Sequence, residues 1–227
     1  MIAGQVRAVQ TGSVRPLGPE GVPSAIIKAP VSGPVAVGPS GLSGDAQVDP
    51  KRHGGPDKAV HIYPVAHYAA WARDLPDRAD AFTPGAFGEN IVLAGAAEAD
   101  VCIGDVFRLG SALVQLSQAR QPCWKLNLRF GLSDMARRVQ TSGRTGWYAR
   151  VMAPGTVAAG DRMVLETRPN PDWDLPRVQR LLYRDALDRA ALAAFAEIEG
   201  LSASWRALAL RRLDSGAAED WEPRLRG

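Results

Sequence analysis

Residues 106–127 read VFRLGSALVQLSQARQPCWKLN, and this stretch carries both a fold signal and a chemical one. Two apolar runs, Val106 to Leu109 and Ala112 to Ser117, flank Gly110-Ser111, the pattern of a tight β-hairpin. A loop, Gln118 to Pro122, then carries the chain to Cys123, and Trp124 to Phe130 reads as a short helix. A cysteine between a strand and a helix start meets free backbone amides, and Arg120 and Lys125 stand close by in sequence. Both effects favour thiolate over thiol, and a thiolate is the soft anionic ligand that a metal or an electrophile needs. The other reading, a buried cysteine acting as a small hydrophobe, fits poorly with arginine, proline, lysine and asparagine around it.

The strand pattern continues on both sides. Ile2 to Val9 alternates as a first strand, a turn-rich segment spans Thr11 to Pro23, and Ala25 to Lys28 reads as a second strand. Ala59 to Tyr63, Asn90 to Leu93, Trp147 to Met152 and Met163 to Thr167 follow. About eight short strands, in a chain with 23 glycines and 17 prolines, predict a mainly β fold closed into a barrel. Short helices are inserted: Pro64 opens one carrying His67, Tyr68 and Trp71, and Ser133 caps another that runs to about Gln140. Pro169-Asn170-Pro171 reads as a linker. Beyond it Leu175 to Arg184, Leu187 to Ile198 and Ser202 to Leu213 each space apolar residues as amphipathic helices. The expected division is a barrel domain over 1–168 and a three-helix tail within 172–227, with no internal repeat.

Bulk properties exclude several classes. The 227 residues are 46% hydrophobic and 22% charged, with a formal net charge of +3, enough apolar matter for a core and only a mild bias toward anionic ligands. No apolar run is long enough for a membrane span, and the opening MIAGQVRAVQ lacks the apolar region of a secretory signal. A cytoplasmic location with reduced thiols is therefore expected. Two cysteines cannot supply the four ligands usual for an iron–sulfur cluster, and neither a strand-GxGxxG-helix unit nor a phosphate-binding P-loop is present.

Other candidates are weaker singly. Cys102 lies in apolar Val101-Cys102-Ile103 and reads as core. His53-Gly54-Gly55, near Lys58, offers consecutive free amides that could cradle an anion, or simply a hairpin turn with an exposed histidine. His61 and His67 do not follow metal-binding spacings and read as satisfied, partly buried side chains.

Taken in order, Gly41-Leu42-Ser43-Gly44-Asp45, His53-Gly54-Gly55, Phe87-Gly88-Glu89-Asn90, Gly104-Asp105, Gln118-x-Arg120-x-Pro122-Cys123-x-Lys125-Leu126-Asn127 and Gly146-Trp147 become specific. The set resembles the MOSC domain family, in its YiiM-like branch, over roughly residues 1 to 168, with 172 to 215 resembling that branch's three-helix tail. The resemblance implies a MOSC-type β-barrel that binds the molybdenum cofactor, a molybdopterin carrying molybdenum. By the same resemblance Cys123 would ligate the metal. Arg120, Lys125, Asn127 and the loop His53, Gly54, Gly55 and Lys58 would hold the anionic pterin, while Asn90 and Glu89 would lie near the metal.

The activity so implied is reduction, and hence detoxification, of N-oxygenated compounds such as N-hydroxylated bases, hydroxylamines or N-oxides. With no flavin, haem or cluster motif in the chain, an external flavoprotein or ferredoxin-type reductase would supply electrons. Two rivals stand beside it. One is a sulfur carrier bearing a persulfide on Cys123. The other is a nucleic-acid binder, turning at Glu199-Gly200-Leu201-Ser202 and presenting Arg206, Arg211 and Arg212. Nucleic acid and membrane are not expected partners.

Overall fold

The computed structural model describes residues 2–48 and 54–227; His53 lies outside them. Seven strands close on themselves: β1 (Ile2–Thr11), β2 (Val60–Pro64), β3 (Ile91–Ala94), β4 (Val106–Leu109), β5 (Ala112–Ala119), β6 (Trp147–Ala153) and β7 (Arg162–Thr167). Their order round the barrel is β7-β4-β5-β6-β2-β3-β1, and β1 pairs with β7 to complete the circle. All neighbours run antiparallel except β2 and β3, which are parallel. A parallel pair needs a crossover, and helix α1 (Ala66–Asp74) provides it. The hairpin forms as its sequence predicts, with Ala112 opposite Leu109 across the turn.

The sequence reading of residues 25–28 as a strand is corrected. Short strands stand on either side of it, at Val22–Ser24 and Ala29–Pro30, but residues 25–28 belong to neither helix nor strand. Pro23 and Pro30 cannot donate to a ladder, and Lys28 turns inward to an acidic partner instead.

Two helices follow Cys123, α2 (Lys125–Phe130) and α3 (Met135–Ser142). The tail contains α4 (Leu175–Tyr183), α5 (Arg189–Ala196) and α6 (Ala203–Ser215), the first residues of which are capped by Asp174, Asp188 and Ser202 side chains. A fourth helix, α7 (Glu222–Arg226), was not foreseen; it packs back toward α3. The tail does not stand apart from the barrel. Leu175, Val178, Phe195 and Trp205 share one buried cluster with Val6, Ile91, Phe107 and Trp147, and Ser202 donates its backbone N–H to Ser117 of β5 at 2.9 Å. A second, more aromatic cluster joins Tyr63, Trp71, Phe87 and Phe130 beneath α1, α2 and α3.

Candidate functional site

A cleft of about 620 Å³ opens where the loops of one barrel end converge. Residues 24–28 and 45–48 form one wall. Lys58, His61 of β2, Asn90 before β3 and Tyr148 of β6 contribute to the rest. The loop after β5 adds Arg120 and Cys123, and the start of α2 adds Lys125. Among the described lining residues four cations, Lys28, Lys58, Arg120 and Lys125, face a single carboxylate, Asp45. The balance favours an anion.

The acid and one of the bases are bound to each other. Lys28 Nζ donates to both Asp45 oxygens at 2.5 Å. Asp45 also accepts the Gly12 N–H at 2.8 Å and the Asn90 amide at 2.9 Å. Asn90 in turn accepts the backbone N–H of His61 at 3.1 Å, so one amide ties the carboxylate to strand β2. Burial pulls Lys28 below its ordinary lysine value, against the opposing pull of Asp45.

His61 forms part of the cleft wall. Burial, with the charge of Arg120 second, holds its pKa down at about 3. It is therefore neutral, with Nε2 facing the Thr145 carbonyl at 3.4 Å and a second backbone hydrogen bond at Gly88. The Tyr148 ring lies 4.9 Å from the imidazole, and burial raises its phenol, which stays protonated.

Arg120 is 5% exposed, and its Nη1 has no hydrogen-bond partner among the described residues. A buried guanidinium nitrogen left in this state is costly unless a ligand completes it. A second cleft of about 980 Å³ meets the first at Lys58, Cys123 and Tyr148, and continues past Trp124, Gln121, Asp220 and Arg224. Cys123 thus lies on the ridge common to both.

The structure gathers most of the residues singled out in the sequence and separates others. Cys123, Arg120, Lys125, Lys58 and Asn90 line the first cleft. Glu89 does not. It is fully buried and accepts the Tyr68 hydroxyl and the Gly85 and Phe87 N–H groups, which fixes the 85–90 turn. Asn127 likewise faces α3 and α7, joining the Leu225 carbonyl and the Ala136 N–H at 2.8 Å each. Gly54 and Gly55 lead into the single helical turn Pro56–Lys58 and line neither cleft.

A model of the MOSC domain matches residues 49–164, and a model of the YiiM-like 3-alpha helix domain matches residues 173–216. The protein YiiM of Escherichia coli strain K12 is 41% identical over 219 residues, 96% of this chain and 97% of its own length. The chain belongs to the MOSC family. The crystal structure of YiiM from Escherichia coli superposes with a TM-score of 0.81 at 36% identity, covering 95% of this chain and all of that one. A protein of Gibberella moniliformis named a reductase is 39% identical over 71% of this chain, which spans only 29% of that longer protein.

MOSC domains are associated with binding of the molybdenum cofactor. The matched MOSC segment includes Cys123, Arg120, Lys125 and Asn90, but Lys28 and Asp45 precede it and α7 follows both matched segments. The sequence reading missed Lys28 and Tyr148 as site residues, and it treated Asp45 as a turn residue. Asp45 carried the turn motif Gly41 to Asp45 as its signal, Tyr148 only its place beside Gly146-Trp147, and Lys28 none. Cys102, as expected, is core: buried, its thiol pushed up to about 11 by burial, its Sγ 3.5 Å from the Pro171 carbonyl. Among the described residues no group of three His, Cys, Asp or Glu could hold a metal by itself. No helix among them is long and apolar enough to cross a membrane.

Proposed function

We propose that this chain is a molybdenum-cofactor-dependent reductase of N-oxygenated compounds, with Cys123 as the protein ligand to molybdenum. The observation that carries the reading is Arg120 Nη1, unpartnered among the described residues and buried in a cationic cleft whose edge is a half-buried cysteine. The donor set suits the group. Arg120, Lys58 and Lys125 would hold a pterin phosphate through charge-assisted hydrogen bonds, and a lone thiolate would complete a metal whose other ligands arrive with the pterin.

When bound, the cofactor supplies two-electron oxygen-atom chemistry. The residues of the chain do the rest. Neutral His61 and the phenol of Tyr148 present hydrogen-bonding groups without adding charge. The Lys28–Asp45–Asn90 chain holds the cleft's shape, its one acid and one base balanced against each other. The second cleft, lined by Cys123, Trp124 and Tyr148 among others, would admit the N-hydroxylated substrate to the cysteine. Overall, R–NH–OH takes two electrons and two protons, the N–O bond breaks, and R–NH2 and water leave. Electrons come from a separate flavoprotein or ferredoxin-type donor.

The test is direct. Protein made in a cofactor-competent host should contain molybdenum and pterin in near-equal amounts and reduce an N-hydroxylated base. Cys123→Ser should lose both the metal and the activity, while Cys102→Ser keeps them. An active Cys123→Ser protein, or one with metal-free wild type and cyanide-releasable sulfur on Cys123, would overturn the proposal.

A further inference from the structure

Cys123 stands in residues 120–123, which belong to neither helix nor strand. A ligand on such a stretch is only as well placed as its neighbours are held. Arg120 is fixed at one end, its N–H donating to Gly146 of the barrel at 3.1 Å. Nearer the cysteine the support comes from the far end of the sequence. The Pro122 carbonyl accepts Arg224 Nη1 at 2.5 Å. The Trp124 N–H donates to the Arg224 carbonyl at 2.8 Å. The residues on both sides of Cys123 are therefore hydrogen-bonded to one and the same residue.

Arg224 is itself firmly seated. Its Nη2 donates to Gln140 Oε1 of α3 at 2.5 Å, and its guanidinium lies 5.9 Å from the centre of the Tyr183 ring. Next to it Leu225 is 2% exposed within the aromatic cluster, and the Leu225 carbonyl accepts Asn127. Glu222 pairs with Arg137 at the other end of α7. Neither family segment, 49–164 or 173–216, includes residue 224.

We propose that Arg224 is a positioning residue for Cys123, clamping the peptide units before and after it so that the thiol is held at the junction of the two clefts. The inference rests on the reading of Cys123 as the reactive thiol of this site. Releasing the clamp lets the loop sample orientations in which the sulfur no longer faces the cofactor cleft, so turnover suffers while the barrel stays folded.

The experiment compares wild type, Arg224→Ala, Arg224→Lys, Gln140→Ala and Arg226→Ala as full-length chains. Circular dichroism and melting check the fold. Iodoacetamide labelling of the cofactor-free protein across pH 6–9 reads the thiol itself, and kcat and KM are measured on the loaded enzyme. Arg224→Ala should alkylate roughly tenfold faster, with kcat lowered about tenfold, a loss of the size a small misplacement produces. Arg224→Lys, which keeps a donor, should restore much of both, and Gln140→Ala should move both the same way by less. Arg226→Ala, which loses only an exposed pair with Glu222, should match wild type. A folded Arg224→Ala protein with wild-type labelling and kcat would overturn the proposal, as would a change in KM alone, which would make Arg224 a substrate contact. If wild type carries no molybdenum but Arg224→Ala still labels faster, the clamp stands and the cofactor reading falls. Should Arg224→Ala fail to fold, wild-type labelling in both Arg224→Lys and Gln140→Ala would equally overturn it.

Discussion

Lys28 and Asp45 meet at 2.5 Å inside the first cleft with side chains only 6% and 5% exposed. Removing one member strands the other without its counter-charge, and here the Gly12 N–H and the Asn90 amide lose their acceptor as well. Asp45→Leu should therefore cost about 3–5 kcal/mol. Lys28→Met with Asp45→Leu removes both charges and should recover much of that loss. Urea unfolding of the four proteins of the cycle measures it. A double variant as unstable as Asp45→Leu would show that the ion pair is not the source.

Arg120 sets function against stability. Its Nη1 has no hydrogen-bond partner among the described residues, so Arg120→Met should cost the cofactor-free protein little beyond the bond Arg120 makes to the Tyr148 hydroxyl. The same change removes a charge-assisted contact to phosphate, worth on the order of 2 kcal/mol or roughly thirtyfold in affinity. Melting of the empty protein and pterin content of the loaded one are the two measurements. Normal pterin content would place the phosphate elsewhere.

Acid sensitivity should trace to His61. Its ordinary pKa of 6.5 is held at about 3 in the fold by burial. Between those values the unfolded chain takes up a proton that the folded chain refuses, so stability present above pH 6.5 is lost as the pH falls. At about 1.4 kcal/mol per pH unit the loss reaches about 2 kcal/mol by pH 5. His61→Asn should show a slope flatter by that amount between pH 6.5 and 5. The raised carboxyl of buried Glu89 acts in the opposite sense but is common to both proteins. Parallel stability–pH curves would refute the assignment.

Electron supply is the fourth expectation. With no dinucleotide motif in the chain, NADPH alone should drive no turnover, whereas a dithionite–viologen couple should. Arg137, Arg180 and Arg184 border a groove of about 1150 Å³ between α3 and α4, a basic face that suits an acidic donor. Donor-driven turnover should fall steeply with salt while dithionite-driven turnover barely changes, because exposed charges are screened within about 10 Å at 0.1 M. Rapid turnover on NADPH without an added reductase would sink the separate-donor scheme.

The sequence carried the barrel well because most strands announce themselves by apolar runs bounded by turns, as the 106–119 hairpin does. It failed at residues 25–28, where the apolar pattern is real but a lysine is drawn sideways to an acid 17 positions away; only the folded chain brings the two together. It failed again at α7, whose five residues are too few to show a period and begin with Glu222 and Pro223. Cys123, Arg120 and Lys125 were legible because they lie within six residues of one another. Glu89 and Asn127 were misplaced for the converse reason. Carboxylates and amides look alike in sequence whether they face a ligand or satisfy backbone groups of a turn. The tail arginines show the same ambiguity: Arg212 is buried against Glu219, and Arg206 bonds the Ile198 carbonyl, while Arg177 stacks on Trp173.

The pairing of Ile2 in β1 with Val164 in β7 bears on how the protein is made. Strand β1 meets the short strand Ala29–Pro30 and then β3 as they are made, but it must wait for β7 until nearly all of the barrel has been synthesised. At ribosomal speeds of roughly 5–20 residues per second that interval is on the order of ten seconds. Throughout it, an apolar strand edge stays open, and contacts so distant along the chain are the slowest to form. Nascent chains of this protein are thus expected to depend on edge-shielding chaperones, and substitutions at the β1–β7 seam should lower the yield of soluble product more than they lower the melting temperature of the molecules that succeed.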